Sequence, residues 1–321
     1  MDRDTGPKGA RWCMKWYKVT LEMSSWTASP WQADTIFGHL CWGMRYRYGE
    51  DELLRLLEAY KAGSPPLLVS NGFPGDRLPK PVLPPQKADA AQDLEQQRQL
   101  YRQNKKTKKI KYLSRAEFES VIAGSPTMPT REIDEDLFET RRITLKNQID
   151  RITGTTGGGG QLFPFAEYHW KTVSIYLKVA DDFVDRAKSL FQYVVELGYG
   201  KRKSVGYGQV KKHKFDSFEG FLKPSQANGF VTLSNFVPSH KDPVIGNWTP
   251  MIKYGKMGEL YSLEETAFKR PLLMLEAGST FYDSPIKDFY GRLVNNISVA
   301  YREAVQYGYA LPVPAKLPTL D

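Results

Sequence analysis

The chain has 321 residues, 41% of them apolar and 13% aromatic, enough to build a real core in one large domain or two ordinary ones. Lys and Arg outnumber Asp and Glu by 45 to 36, and the net charge of +9 favours a polyanionic partner. Cys13 and Cys41 are too few for a disulfide framework or a multi-cysteine zinc site. His39, His169, His213 and His240 lack metal-ligand spacing, and no apolar run reaches the ~20 residues that span a bilayer. The expectation is therefore a cytoplasmic protein with no metal and no cofactor.

Residues 1–13, MDRDTGPKGARWC, lack the apolar core of a signal peptide and read as a disordered extension. KWYKVTLEM (15–23) alternates and predicts a strand, with Trp16, Val19, Leu21 and Met23 as its apolar marks. ADTIFGHLCWGMRYRYG (33–49) predicts a helix with Ile36, Leu40, Gly43 and Met44 on one face and Asp34 in its first turn. A second helix follows over 50–63 and stops at a glycine. PPLLVSNGFP (65–74) reads as a short strand entering a turn, and LPKPVLPP (78–85) is too rich in proline for a central strand.

Residues 86–124 change character. They are polar, helix-prone to about Asn104, and carry eight cations and no acid between Arg98 and Arg115. This reads as an inserted surface element, either a grip on RNA or a neighbouring subunit, or a disordered basic loop. DEDLFE (134–139) is the densest acidic run and reads as a cap or solvated connection. Residues 139–170 predict two strands joined by a Thr- and Gly-rich tip, 170–181 a strong strand, and 182–198 an amphipathic helix. GYGKRKSVGYG then leads into a last strand, GQVKKHKF (208–215). The order is that of a β-α-β-β-α-β ferredoxin-like unit with insertions. The remainder, 218–321, offers strands in GFVTLSNFVP, PLLMLEAGSTFYD and SVAYREAVQYGYALPVP, with helix only near 259–268 and 284–292. It reads as a second, smaller α+β domain.

The loop at 198–210 invites three explanations. A nucleotide phosphate loop fails, because the glycines follow a helix and precede a strand and no G-K-[ST] forms. The dinucleotide fingerprint fails because Lys203 stands where the third glycine belongs. A tight turn with solvated charges remains open. So does a loop whose amides lie against an RNA backbone, with Gly198, Gly200, Gly206 and Gly208 allowing close approach. Lys201, Arg202 and Lys203 would add charge there, and Ser204 a neutral donor. Six cations and no acid lie between Gly198 and Lys214.

A Gly-rich loop between the last helix and last strand of a ferredoxin-like unit resembles the RAMP superfamily of CRISPR systems. Within it the chain is most similar to the fourth subunit of the type III-A Csm effector complex. The resemblance rests on KWYKVTLEM, DTIFGHLCW, SNGFPGDRLPKPVLP, GYGKRKSVGYGQV, YGKMGELYSLEETAFKRPLLMLEAGSTF and YGYALPVP, and spans most of 14–315.

That resemblance implies an α+β fold of two ferredoxin-like (RRM-like) domains, 14–217 and 218–321. The first carries the Gly-rich loop, a basic insertion at about 86–130 and a β-hairpin thumb at about 139–170. It implies a non-catalytic subunit that binds the 5′ repeat-derived handle of crRNA. The same subunit would join the large polymerase-like subunit to the adjacent RAMP backbone subunit, without a membrane. Because some RAMP relatives cut RNA, a crRNA-processing endoribonuclease is the alternative.

Trp26 and Trp31 flank the start of the first helix and are candidates for base stacking. His39 is the best candidate for a general base, weighed against packing or RNA contact. His169 and Tyr168 lie at the base of the thumb, where RNA contact and strand packing are equally open. Arg141, Arg142, Arg151 and Phe163 belong to the thumb, whose arginines can pair with phosphates. The thumb tip, 153–161, is expected to order on RNA. Tyr176, Phe191 and Tyr193 are expected in the core, and Trp42 and Trp248 either in the core or at a subunit interface.

Overall fold

The computed structural model describes residues 14–85, 93–125, 140–147, 149–156, 162–264 and 266–319. The extension 1–13, the acidic run 134–139 and the thumb tip 157–161 lie outside the described residues.

The first sheet has the order β2-β7-β1-β8, antiparallel throughout. It contains β1 (Met14–Met23), β2 (Leu67–Pro74), β7 (Thr172–Ala180) and β8 (Val210–Ser217). Helices α1 (Ala33–Tyr48) and α2 (Glu50–Lys61) connect β1 to β2, and α5 (Val184–Leu197) connects β7 to β8. This is the expected β-α-β-β-α-β arrangement. Val19 and Leu21 of β1 and Val173, Ile175 and Leu177 of β7 pack beneath Ile36, Phe37, Leu40 and Met44 of α1. Gly43 lets α5 close on α1, since a Cβ there would stand 3.0 Å from the Tyr193 ring.

The opposite face of the sheet is covered as well. Tyr176 of β7 packs against Phe218 and Phe221 at 5.2 and 5.1 Å between centroids. Phe118 from the insertion closes over Phe221 at 5.8 Å. An RRM stacks bases on this open sheet face. Here the chain's own aromatics occupy it, which leaves the loops at the sheet's edge for any ligand.

The described part of the insertion, 93–125, holds more regular structure than its composition predicts. Short β3 (Arg77–Pro79) pairs with β4 (Tyr112–Ser114), and between them runs α3 (Leu94–Lys109), capped by Asp93 and burying none of its residues. Helix α4 (Arg115–Ile122) begins at a capping box formed by Ser114 and Glu117. Strands β5 (Thr140–Lys146) and β6 (Phe163–His169) form the predicted hairpin, with Arg142 opposite Glu167.

The second half repeats the strand order without the helices. β9 (Gly229–Thr232), β10 (Gly246–Asn247), β13 (Thr280–Tyr282) and β16 (Pro312–Ala315) form a sheet of order β10-β13-β9-β16. Two small ribbons flank it: β11 (Pro250–Lys253) with β12 (Leu272–Leu275), and β14 (Tyr290–Gly291) with β15 (Tyr309–Ala310).

Neither predicted helix forms. Within 259–268 only a 3-10 turn appears, Glu259–Leu263, because Glu259 sits at φ 52 and Phe268 bridges Lys256 as extended chain. Within 284–292, Pro285 lies near the start, Gly291 stands at φ 84, and the segment ends by pairing as β14. The third predicted strand region pairs in β15 and β16 only from Tyr309 onward.

The two halves share one continuous core. Tyr307 enters beside Phe37, 4.7 Å between rings, and its hydroxyl accepts from the Val69 amide at 3.0 Å. Asn71 bonds Asn235 at 2.9 Å across the same joint. Asp34 is buried there in an ion pair with Lys253 at 2.8 Å. That explains an acid on an apolar helix face better than the helix dipole does.

Candidate nucleic-acid interface

The Gly-rich loop begins where α5 ends, at Gly198 with φ 80. Gly200, Gly206 and Gly208 have φ 80, 91 and 66, and Arg202 adopts the left-handed region at φ 60. The loop folds back on itself. Tyr199 donates its amide to the Gly208 carbonyl, and Gly208 donates to Trp26 O at 2.8 Å. The Gly200 amide donates to His39 Nε2 at 2.9 Å, and the Lys201 amide to Ser29 Oγ at 3.0 Å. The Gln209 amide donates to Ser25 Oγ at 2.8 Å.

This corrects the expectation that the glycines bring amides to phosphate. A Cβ on Gly208 would lie 1.9 Å from Tyr199 O, and one on Gly200 would lie 2.8 Å from Ser29 Cβ. One on Gly198 would lie 2.7 Å from Gln209 Nε2. The close approach is to the chain's own loops. Only Gly206 faces open space. What the loop offers outward is its tip: Lys201, Arg202, Ser204 and Val205 are exposed.

His39 and Trp31 are corrected too. His39 is half-buried and accepts the Gly200 amide. Burial pushes its imidazole down to about 3, with the Lys203 cation adding to the shift. It holds the loop as a neutral acceptor, its Nε2 taken by the Gly200 amide. Trp31 is 3% exposed and stacks on Tyr199 at 3.7 Å and 8°, so it packs rather than presenting a face to a base. Trp26 remains partly exposed at the loop's other side, with the Arg142 guanidinium 4.1 Å above its ring and His169 at 5.3 Å.

The thumb is fastened to the loop by one carboxylate that the sequence reading missed. Glu167 on β6 has a side chain only 1% exposed. Arg142 Nε donates to it at 2.6 Å, Lys146 Nζ lies at 3.2 Å, and the Tyr207 hydroxyl donates to it from the Gly-rich loop. Burial pushes this carboxyl up. The Tyr207, Arg142 and Lys146 hydrogen bonds outweigh that and hold it at about 2. Lys146 and Arg202 cover the Phe165 ring at 4.2 and 4.6 Å. Thr27 and Tyr168 exchange backbone bonds at the hairpin base. Arg141, Arg151, Ile143 and Leu145 are exposed, and Phe163 is just exposed. Arg142 is therefore held by Glu167 through Nε with half of its side chain still exposed, while Arg141 and Arg151 are exposed without such a carboxylate bond among the described residues. No single motif points to Glu167, whose partners lie 21 to 40 residues away.

The insertion stands over a cleft of about 990 Å³ whose wall includes Lys80, Thr107, Lys108 and Trp170. Lys80 Nζ donates to Thr107 O at 2.5 Å and so ties α3 to β3. Among the described residues no group of His, Cys, Asp and Glu could hold a metal ion, and no helix is long and apolar enough to cross a membrane.

Acid should act on this assembly in two stages. His39 binds its proton less readily in the folded chain (about 3) than at its ordinary 6.5, and Glu167 less readily (about 2) than at 4.5. In both cases the unfolded state binds more protons in the window between the two values, so stability is complete above about pH 6.5. It falls first through His39 below 6.5 and further through Glu167 below 4.5. Thermal unfolding midpoints across pH should show this decline, and His39→Gln should flatten the upper part. An unchanged profile in that variant would show that His39 does not set it.

The fold and loop together define a class, a ferredoxin-like β-α-β-β-α-β sheet with a glycine-rich loop before its last strand and a hairpin thumb beside it. Solved structures share this fold across nearly the whole chain. A chain of the Csm1–Csm4 cassette in complex with cA4 matches with a TM-score of 0.63 and 19% identity, covering 95% of this chain and 99% of that one. A chain of the Csm3–Csm4 subcomplex in the type III-A CRISPR-Cas interference complex matches at 0.64 and 13% identity, covering 94% and 99%. The cassette in complex with AMPPNP matches at 0.62 and 19% identity, covering 95% and 99%. The chain thus shares its fold with a component of these complexes. No protein-family model matches the sequence, and no curated protein does.

Proposed function

We propose that this chain is an RNA-binding assembly subunit of a type III-A CRISPR effector complex. In this reading it holds the 5′ repeat-derived handle of the crRNA. It also joins the large polymerase-like subunit to the adjacent backbone subunit, and catalyses no cleavage itself. The observation that carries the reading is the fold match over 95% of the chain to complexes whose shared named component is Csm4. The exposed cations at the tip of the Gly-rich loop add to it, as does the thumb fixed beside them through Glu167. The second sheet, with the strand order of the first, supports two ferredoxin-like units, 14–217 and 218–321, the latter stripped of its helices.

Native purification of the tagged chain from a host with its CRISPR locus, followed by sequencing of the bound RNA, is the direct test. Short RNAs with a common repeat-derived 5′ end are expected, together with the large polymerase-like subunit and a backbone subunit. A random sample of cellular RNA would overturn the handle assignment.

The endoribonuclease alternative makes the opposite prediction for His39. A labelled repeat RNA incubated with the purified chain, with and without Mg²⁺, should give no site-specific product. A product lost in His39→Ala would reinstate the nuclease.

A further inference from the structure

Lys203 differs from its neighbours in the K-R-K run, because a residue of the second half holds it. Its Nζ lies 2.5 Å from Glu259 Oε1, and the two side chains are 20% and 22% exposed. Glu259 opens the 3-10 turn Glu259–Leu263 with its backbone at φ 52. The described residues include three non-glycine residues with positive φ: Arg202, Glu259 and Asn296. One of the three, Glu259, belongs to this ion pair, and another, Arg202, precedes its partner Lys203. A residue with a Cβ stays in that region only when its surroundings hold it there, and such outliers concentrate where a site must switch or clamp.

The surroundings are aromatic. Gly258 backs onto Trp42 so closely that a Cβ would stand 2.6 Å from the indole nitrogen. The Tyr261 ring lies 6.0 Å from Trp42 and 4.8 Å from Tyr301. The segment is docked on α1, and its carboxylate is delivered to the tip of the Gly-rich loop.

We infer that Glu259 is a selectivity gate: its carboxylate occupies Lys203 until a phosphodiester of a bound RNA strand takes its place. The inference rests on the reading of the loop as an RNA contact. A carboxylate and a phosphodiester are both monoanions with oxygen acceptors suited to an ammonium group. A strand already engaged by Lys201 and Arg202 presents its next phosphate at high effective concentration. A lone phosphate or free nucleotide has no such help and leaves the pair closed. Because each partner is about one-fifth exposed, a competing anion can reach the pair.

The test titrates the full chain with a fluorescein-labelled single-stranded RNA over a salt series, read by anisotropy. The proteins are wild type, Glu259→Gln, Lys203→Ala and the double variant. Glu259→Gln should bind roughly 1.5- to 5-fold tighter, since no ion pair has to open. Lys203→Ala should reduce the salt slope by about 0.7, one single-strand phosphate contact. In the double variant the gain should vanish.

Independently of any variant's folding, hydrogen exchange across 256–264 in the wild type should quicken when RNA binds. Glu259→Gln binding no tighter than wild type, or Lys203→Ala leaving the slope unchanged, would make the pair a fixed strut and overturn the gate. In that case salt-dependent binding by the wild type would leave the RNA reading standing. A wild-type chain without salt-dependent RNA affinity would remove that reading and the gate with it.

Discussion

Replacing Lys201, Arg202 and Lys203 together by Ala should weaken single-stranded RNA binding on the order of 100-fold at moderate salt. It should also lower the salt slope by about 2. The structure sharpens why. The Gly200, Lys201 and Gln209 amides are taken by His39, Ser29 and Ser25, and others by the loop's own carbonyls, so the tip's side chains are its main offering to a phosphate. Affinity then depends on side chains at the tip, two of them exposed and one released from Glu259. Each cation that neutralises a phosphate releases about 0.7 of a counterion from a single strand, and three together account for the slope. The fold should survive, because none of the three is in the core. Unaltered affinity and slope in a variant with a normal melting curve would show that these cations are only solvated.

The largest effect on stability should come from Gly208→Ala. The residue stands at φ 66, and a Cβ there would lie 1.9 Å from the Tyr199 carbonyl oxygen, a backbone atom that cannot swing aside. Two penalties combine, a left-handed backbone and a steric collision in a loop pinned on both sides. A cost of about 3 kcal/mol or more is expected.

Gly206→Ala is the internal control. Gly206 has φ 91, but its Cβ would enter open space, so only the conformational term of about 1–2 kcal/mol remains. Urea unfolding of the two variants should separate them clearly, and Gly208→Ala should also lose RNA affinity as the tip is misplaced. Equal midpoints for the two would mean that the loop does not pack as closely as the Tyr199–Gly208 contact implies.

Several features were legible in the amino-acid order because short-range physics sets them. Alternation over 15–23 gave β1, the apolar stripe of Ile36, Leu40 and Met44 gave α1, and Gly198 marked the end of α5. The capping box of Ser114 and Glu117, which starts α4, was missed, because the polar, basic composition of the insertion masks the short apolar turn behind it. The hairpin followed from two β-rich runs around a Gly-rich tip.

Other features depend on which distant segments meet. The glycines of 198–208 announce positive φ, but that they make room for Tyr199 and Ser29 depends on the loop closing against the β1–α1 connection. Trp31 carries the same residue type as Trp26 and sits five positions away. Trp31 stacks on Tyr199 in the core and Trp26 lies under Arg142, because the loop residue Tyr199 packs against the 30–31 segment and bonds the Pro30 carbonyl. The helices expected at 259–268 and 284–292 give way to a turn and a ribbon, since docking onto α1 and pairing with Tyr309 outweigh weak local preference.

Lys203 finds Glu259 from 56 residues away, and Glu167 draws in Arg142, Lys146 and Tyr207 from three segments. Periodicity and turn stereochemistry act over a few residues, so the sequence alone determines the elements and the Gly-rich loop. Charge pairing and burial act through space, so only the tertiary structure decides which cations face solvent and which are held, by the thumb for Arg142 and Lys146 and by the second half for Lys203.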